Sequence, residues 1–459
     1  MGYTLRDYQQ KCHQDTLNYI NNKGKAGIVV APTAHGKALQ IAQLTHDYEG
    51  GVIVLSPSKE ILEQNYEKYL SYGGEGCIYS ASFNSKNMCQ ATFATLGSVK
   101  KLGKQFKDLG VSLLIMDECH LHSNPEGGMF TDFLSDLAPK TLIGYTASPF
   151  RLKNYTDPSG YSYSQLSMLN RTRPKIFKDI IHVTQIHELT SRGYWAPVEL
   201  HIEPFNPLGL VLNSNGSEYT ESSVQEVVKS NNVNNRIYKQ IKSLISDGVS
   251  SILVFLDTVE NCYTMKNALG DCAEVIEANT KKKDREFHLS NFKNKNLKVI
   301  LNVNTLTVGF DYPELQVVMM GRPTNSLAVF YQIYGRLVRP YEGKVGKFFD
   351  YGGNLEKFGK MEELTIENYN NYGWGIFNNE NLLTGVPMSS PPTTKKELDG
   401  VKRNEFKNSS KNVFEFGKYS GKKASEVEKQ YLGWASINAK HLMSEILYND
   451  IMKIINPTK

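Results

Sequence analysis

The 459-residue chain has few cysteines, and none is spaced for metal: Cys12, Cys77, Cys89, Cys119, Cys262 and Cys272 are scattered, with no CxxC pair. That scatter argues against a structural zinc or a disulfide framework and fits a reducing compartment. No apolar run approaches the roughly eighteen residues needed to span a bilayer. The opening MGYTLRDYQQ lacks an apolar signal-like stretch, and Arg6 stands where a myristoylation signal wants Ser or Thr. These absences predict a cytoplasmic protein with no membrane partner. Short repeats and low-complexity tracts are missing too. An excess of one charge is nearly so: 52 Lys and Arg against 47 Asp and Glu leave +5. Such a balance admits a polyanionic partner without demanding one.

What is present is an ordinary globular composition, 40% hydrophobic and 22% charged, in a chain long enough for two or three domains. Apolar β-rich runs recur at 26–32, 51–57, 90–95, 111–118 and 141–148. After an irregular polar stretch they resume at 250–258, 273–279, 297–304, 315–323 and 347–353. Runs of this kind, each ending in small or polar residues, suit strands buried on both faces of a parallel sheet. The expected fold is α/β: two tandem RecA-like doubly wound parallel-sheet domains plus a small C-terminal module. The expected boundaries are 1–150 for the first domain, 151–230 for a connecting or insertion region and 231–358 for the second domain. Residues 359–400 follow as a linker, because periodicity fails over 378–400 where Pro, Ser, Thr and Asn gather. The tail module takes 401–459.

Ligands of open α/β sheets sit beyond the carboxyl ends of strands, so those ends hold the candidate chemistry. VVAPTAHGKALQIA (29–42) reads as strand, tight turn and helix start, the parts of a phosphate cradle. Pro32, Thr33, Ala34, His35, Gly36, Lys37 and Ala38 form the turn, with Lys37 able to reach β- and γ-phosphates. The strict phosphate-loop pattern fails at both ends: Ala31 replaces its first Gly, and Ala38 its magnesium-binding Ser or Thr. By itself this stretch is equally well an ordinary strand-to-helix turn. LLIMDECHLH adds a strand ending in Asp117 and Glu118, where one acid can hold hydrated Mg²⁺ and the other can polarise a water. A plain reading makes them helix-capping acids. GYTASPFR runs a strand into Thr146 and Ser148. FYQIYGRLVRP, read as a helix, puts Gln332, Arg336 and Arg339 at i, i+4 and i+7 on one face. Two guanidiniums there with no nearby acid call for an anion between them. TLTVGFDYPEL sets Gly309 and Asp311 at a strand-to-loop junction.

In that order the motifs resemble superfamily 2 helicases of the DExH type, and within them phage recombination and branch-migration helicases and bacterial RadD-like proteins. The resemblance covers roughly residues 3–355. It implies ATP and Mg²⁺ as cofactors, with catalysis by Lys37, Asp117 (the metal acid), Glu118, Gln332, Arg336 and Arg339. In LRDYQQ it gives Arg6 and Gln9 to the adenine, and it gives Gly309 and Asp311 to the nucleotide from the second lobe. Thr146 and Ser148 would couple nucleotide state to lobe closure. In VLSPSKEILEQ and ATFATLGSV, Ser58, Lys59 and Thr95 would touch phosphates of a nucleic-acid strand, joined by Thr307. The resemblance further implies a DNA motor for unwinding, branch migration or fork remodelling, running 3′ to 5′ on single-stranded, forked or branched DNA.

Departures from the pattern keep alternatives open. Ala34 stands where this family usually has Gly, and Ala38 removes a metal ligand, so a DNA-binding protein with an impaired ATPase is one alternative. An RNA helicase is another, and the motor subunit of a restriction or nuclease assembly a third; recombination or nuclease proteins are the partner proteins expected. RadD-like proteins carry C-terminal cysteines suited to zinc, whereas no cysteine here follows Cys272. The tail instead interleaves basic residues with Phe416, Tyr419 and Trp434. Ten Lys and Arg face six Asp and Glu between Lys395 and Lys429. A base-stacking surface and a compact cap with solvated lysines both fit that composition.

Overall fold

A computed structural model describes residues 4–122, 128–156, 162–214, 216–307, 310–386, 393–400, 411–415, 419–438 and 442–455. The chain forms two compact units. The first takes Met1–Arg151, Ser167–Ser214 and Glu218–Glu363; the second takes Leu152–Leu166, Asn215–Ser217 and Leu364–Lys459.

Seven strands open the chain: β1 (Ala26–Val30), β2 (Gly51–Leu55), β3 (Cys77–Ser80), β4 (Ser85–Lys86), β5 (Ala91–Ala94), β6 (Val111–Asp117) and β7 (Thr141–Thr146). A two-stranded hairpin follows, β8 (Phe150–Thr156) with β9 (Ser162–Met168), and then β10 (Asp179–Val183) returns. The first sheet has the order β10-β1-β7-β6-β2-β5-β3-β4. Its pairings are parallel except β3 with β4. Every residue of β1 and β2 is buried, the pattern of a sheet covered on both faces. One core cluster includes Val29, Ile41, Val54, Leu62, Phe93 and Ile115. Each such side chain, fully buried, contributes ~1.5–3 kcal/mol before ordering entropy is subtracted.

The second sheet repeats the plan in the order β11-β16-β15-β12-β14-β13, parallel throughout. Its strands are β11 (Val198–Ile202), β12 (Ile252–Phe255), β13 (Ala273–Ile276), β14 (Val299–Asn302), β15 (Val317–Met320) and β16 (Gly346–Asp350). Its core joins Ile237 and Ile241 of the helix Val233–Ser246 to Val254, Leu301 and Met319. The α/β class and the two parallel sheets agree with the sequence reading.

Three features differ from that reading. The stretch 359–400 is not a bare linker. It carries the antiparallel strands β17 (Leu364–Tyr369), β18 (Gly373–Asn378), β19 (Asn381–Leu382) and β20 (Thr393–Thr394), then the helix Lys395–Gly400. Its short strands, with turns at Asn370–Tyr372 and Asn379, show no long apolar run, and the Pro- and Ser-rich stretch 387–392 on which the linker reading leaned lies outside the described residues. Phe377 and Leu382 are the buried centre of these strands, with Tyr369 and Leu398 against them. Second, Cys77 and Cys89 are paired as a disulfide, their Cα atoms 6.2 Å apart. The fold brings the two together beside β5, which spacing alone does not reveal. Third, β10 and β11 extend the two sheets from within the stretch read as a connector. Both lie at sheet edges with few buried residues, so neither shows the apolar signature.

In the tail, Phe414, Leu432, Leu447 and Ile451 form a core with Tyr419 and Tyr431 packed against it. Tyr419 Oη also donates to Glu428 at 2.7 Å. Phe416 and the Trp434 side chain lie outside the described residues. None of the described helices is long and apolar enough to cross a membrane.

Candidate active site

β1 ends at Val30 and helix α1 (Asp7–Asn21) lies before it; helix α2 (Lys37–Asp47) begins after a loop of six residues, 31–36. Between them the loop is tied down at every step. Ala31 N donates to Thr146 O of β7 at 2.9 Å, and His35 N to Pro32 O at 3.1 Å. Two residues adopt left-handed backbone, Ala34 at φ 61° and Gly36 at φ 93°. Gly36 has a second reason to be glycine: a Cβ there would lie 2.4 Å from Gln9 Nε2. Gln9 Nε2 donates to His35 O at 2.7 Å, and its Oε1 accepts from Arg6 N at 2.8 Å. Tyr8 Oη donates to the same His35 carbonyl at 3.1 Å. Gln9 thus caps its own helix with one end of its amide and ties α1 to the phosphate loop with the other. The Arg6 guanidinium lies 4.5 Å over the Tyr194 ring. His35 is fully buried, its Nε2 3.0 Å from Thr184 Oγ1, and burial pulls its pKa down to about 3.

β6 delivers the acids. Asp117 is its last residue, and Glu118 turns the chain away at φ 46°. Lys37 Nζ forms an ion pair with Glu118 Oε1. Burial alone would raise the Glu118 pKa, but the charge of Lys37 and the neighbouring His120 hold it well below the usual carboxylate range. Asp117 shifts the other way, because burial and the adjacent Glu118 charge both disfavour its ionised form. Asp117 Oδ1 accepts from Glu118 N at 2.8 Å, and Oδ2 from Asn65 Nδ2 at 2.9 Å. His120 Nδ1 lies 2.8 Å from Thr146 Oγ1, which also accepts from Ser148 N at 2.9 Å. On its far side His120 Nε2 sits 3.4 Å from Gln332 Nε2 of the second lobe. Arg151 clamps the turn after Glu118, its Nε donating to His120 O at 2.7 Å.

The second lobe corrects the helix expected over 330–340. That helix runs Leu327–Tyr334 and stops at Gly335, so of the three polar residues only Gln332 is on it. Gly335 packs directly on the phosphate loop, where an added Cβ would meet Thr33 Oγ1 at 2.4 Å. Beyond it Arg336 folds back on its own lobe. Its Nη1 donates to Phe310 O at 2.6 Å, its Nη2 to Thr307 O at 2.7 Å and its Nε to Gln332 O at 3.3 Å. Burial and the like charge of Arg339 push its pKa down to about 9. Nor are the guanidiniums without an acid: Arg339 Nε is 2.7 Å from Asp311 Oδ1. Arg339 Nη1, however, is buried with no hydrogen-bond partner among the described residues. Gly309 lies outside the described residues.

These groups share one cavity of about 600 Å³. From the first lobe come Arg6, Gln9, the loop Thr33–Ala38, Asp117 and Glu118, and from the second Asp311, Arg336 and Arg339. The volume is ordinary for a nucleotide-sized ligand. The acids, with the orphaned Oδ1 of Asn65, make an all-oxygen donor set that fits a hard cation such as Mg²⁺ better than a soft one. Ala38 contributes only a methyl. Among the residues read as strand-tracking, Ser58 caps helix α3 (Lys59–Ser71) by accepting from Ile61 N at 3.3 Å. Lys59 Nζ donates to Ser82 O at 2.9 Å, and Thr95 Oγ1 lies 2.9 Å from Ser98 Oγ. Ser58 and Thr95 follow the adjacent strands β2 and β5. Thr307 Oγ1 donates to Asn304 O at 2.9 Å.

Sequence reasoning did not find Tyr8, Asn65, Tyr194 and Trp195. Trp195 is buried and donates from Nε1 to Thr33 O at 2.9 Å. Tyr8 lies within LRDYQQ and Asn65 directly follows VLSPSKEILEQ, whereas the signal of Tyr194 and Trp195 is purely three-dimensional.

Two family descriptions match the chain: the res subunit of type III restriction enzymes over residues 2–151 and the helicase conserved C-terminal domain over 236–341. A 51.5 kDa protein of a Lactococcus phage is 22% identical over 365 residues, covering 78% of this chain and 72% of its own. The ATP-dependent DNA helicase Hel308 of Methanocella arvoryzae is 22% identical over 394 residues, covering 76% of this chain but 51% of its own. The DNA-bound type ISP restriction-modification enzyme LlaBIII superposes with a TM-score of 0.54 at 17% identity, over 77% of this chain and 28% of that one. This chain therefore spans about half or less of the latter two proteins. Domain order and fold agree, and the chain belongs to the superfamily 2 helicases, the ATPases that work on nucleic acid.

Proposed function

We propose that this chain is an ATP-driven DNA helicase or translocase that unwinds or branch-migrates DNA in recombination, repair or fork remodelling. One observation carries the reading. Lys37, Asp117 and Glu118 of one lobe line the same cavity as Asp311, Arg336 and Arg339 of the other. Magnesium, when bound with the nucleotide, would neutralise charge on the β- and γ-phosphate oxygens. The protein's own part begins with the Lys37–Glu118 ion pair. A triphosphate offers Lys37 a better partner, and its departure releases Glu118 to orient and accept a proton from the attacking water. Arg339, with Nη1 free to donate, meets developing charge from the opposite lobe, so turnover and lobe closure are linked. Gln332, His120, Thr146 and Ser148 form a chain of contacts that connects the acid turn to the second lobe.

Support for DNA is the likeness to a DNA helicase and to a DNA-bound restriction enzyme. The test is ATP hydrolysis measured with single-stranded DNA, forked DNA and RNA, for the parent, Glu118→Gln and Ala38→Ser. Stimulation by DNA, loss of turnover with retained ATP binding in Glu118→Gln, and strand displacement on forks are expected. Glu118→Gln turning over at the parent rate would remove the catalytic assignment. A second reading rests on the methyl of Ala38 in the cavity: nucleotide is bound but cleaved slowly. Under it, Ala38→Ser raises turnover severalfold.

A further inference from the structure

Ala38 deprives the phosphate loop of the hydroxyl that ordinarily joins the metal acid in holding magnesium. Asp117 is nevertheless held, and from another direction. Asn65, fully buried on α3, donates through Nδ2 to Asp117 Oδ2 at 2.9 Å and to Ser56 Oγ at 3.1 Å. An ionised carboxylate only accepts, so the amide nitrogen is the end that meets Asp117 Oδ2, and the amide oxygen is left for another partner. That Oδ1 is buried without a hydrogen-bond partner among the described residues. Asn65 also lines the cavity that holds Lys37, Ala38, Asp117 and Glu118. An unmatched buried amide oxygen costs on the order of 1–3 kcal/mol. A cost of that size is tolerated where a ligand later meets the group. Hard divalent cations accept neutral amide oxygens beside carboxylates.

We propose that Asn65 belongs to the metal site: Nδ2 fixes Asp117, and Oδ1 supplies an oxygen to the hydrated Mg²⁺, in place of the hydroxyl missing at 38. The inference rests on the reading of the cavity as an ATP site. Asp117 stays the charged ligand, and Asn65 adds a neutral one from a different helix.

Mn²⁺ is the probe, titrated by electron paramagnetic resonance into the full chain with ADP present. Affinity for a fluorescent ADP is measured in parallel in EDTA. Asn65→Ala is expected to weaken Mn²⁺ binding by about 10- to 100-fold while ADP affinity in EDTA stays within about twofold of the parent. Asn65→Asp, nearly isosteric, keeps the oxygen but loses the Nδ2 donor that fixes Asp117, so it should bind Mn²⁺ more tightly than Asn65→Ala and within about tenfold of the parent; it carries the test if the alanine variant does not fold, a larger loss counting against the proposal. Ala38→Thr placed on Asn65→Ala should recover most of the loss. Mn²⁺ affinity unchanged in Asn65→Ala, or as weak in Asn65→Asp as in Asn65→Ala, overturns the proposal. A parent chain that binds no ADP with or without metal overturns the ATP-site reading itself, a separate failure.

Discussion

Ala34 is a non-glycine residue in left-handed backbone at φ 61°, a conformation that costs an L-residue roughly 1–2 kcal/mol. Its family counterpart is usually Gly, and the rest of the loop's hydrogen bonding overrides the strain. Ala34→Gly is therefore expected to raise stability by up to about 1 kcal/mol, the relief being partly offset by the freer unfolded chain; a denaturant melt reads it directly. His35, one residue on, has a pKa drawn down by burial to about 3 from its ordinary 6.5. The folded chain therefore binds fewer protons here than the unfolded chain between those values. Stability from this group is complete above about pH 6.5 and is lost as pH falls toward 3. Urea midpoints measured from neutral pH downward should fall, and the slope should be shallower in His35→Gln.

At the scale of elements, Gly335 approaches Thr33 closely across the two lobes. A methyl at 335 would sit 2.4 Å from Thr33 Oγ1 and 2.7 Å from its Cβ, too close to absorb without shifting the loop or the helix end. Gly335→Ala should lower ATP turnover at least about tenfold while costing only about 1–3 kcal/mol of stability, measured by steady-state hydrolysis beside a thermal melt. This contact also marks the limit of what was legible. The ten buried strands announced themselves as apolar runs, and the acids and Lys37 lay at strand ends as expected. The three-residue helical face over Gln332, Arg336 and Arg339 did not survive, because helical periodicity was extended past a glycine that packing requires. Asp311 was named, but nothing in spacing indicates that it pairs with Arg339. Asn65 and Trp195 depend on neighbours distant in sequence. The antiparallel strands β17 to β20 were missed because edge-rich sheets of this kind need no continuous hydrophobic stretch.

For the whole molecule, a cavity lined by both lobes predicts that nucleotide binding links their unfolding. A non-hydrolysable ATP analogue with Mg²⁺ at a hundred times its Kd should add about 2.7 kcal/mol, and the two lobes should melt in one transition. Arg339→Ala should retain much of the binding but split that transition in two, as seen by calorimetry. One element spans a further distance. Helix α3 is capped by Ser58, a candidate contact for a strand's phosphates, and seven residues later presents Asn65 to Asp117. At 1.5 Å per residue the separation is about 10 Å along a stiff rod. A polynucleotide pulling on the near end would tug the anchor of the cation's acid at the far end. Track and fuel would then be sensed by a single lever, with no loop needed to relay the message.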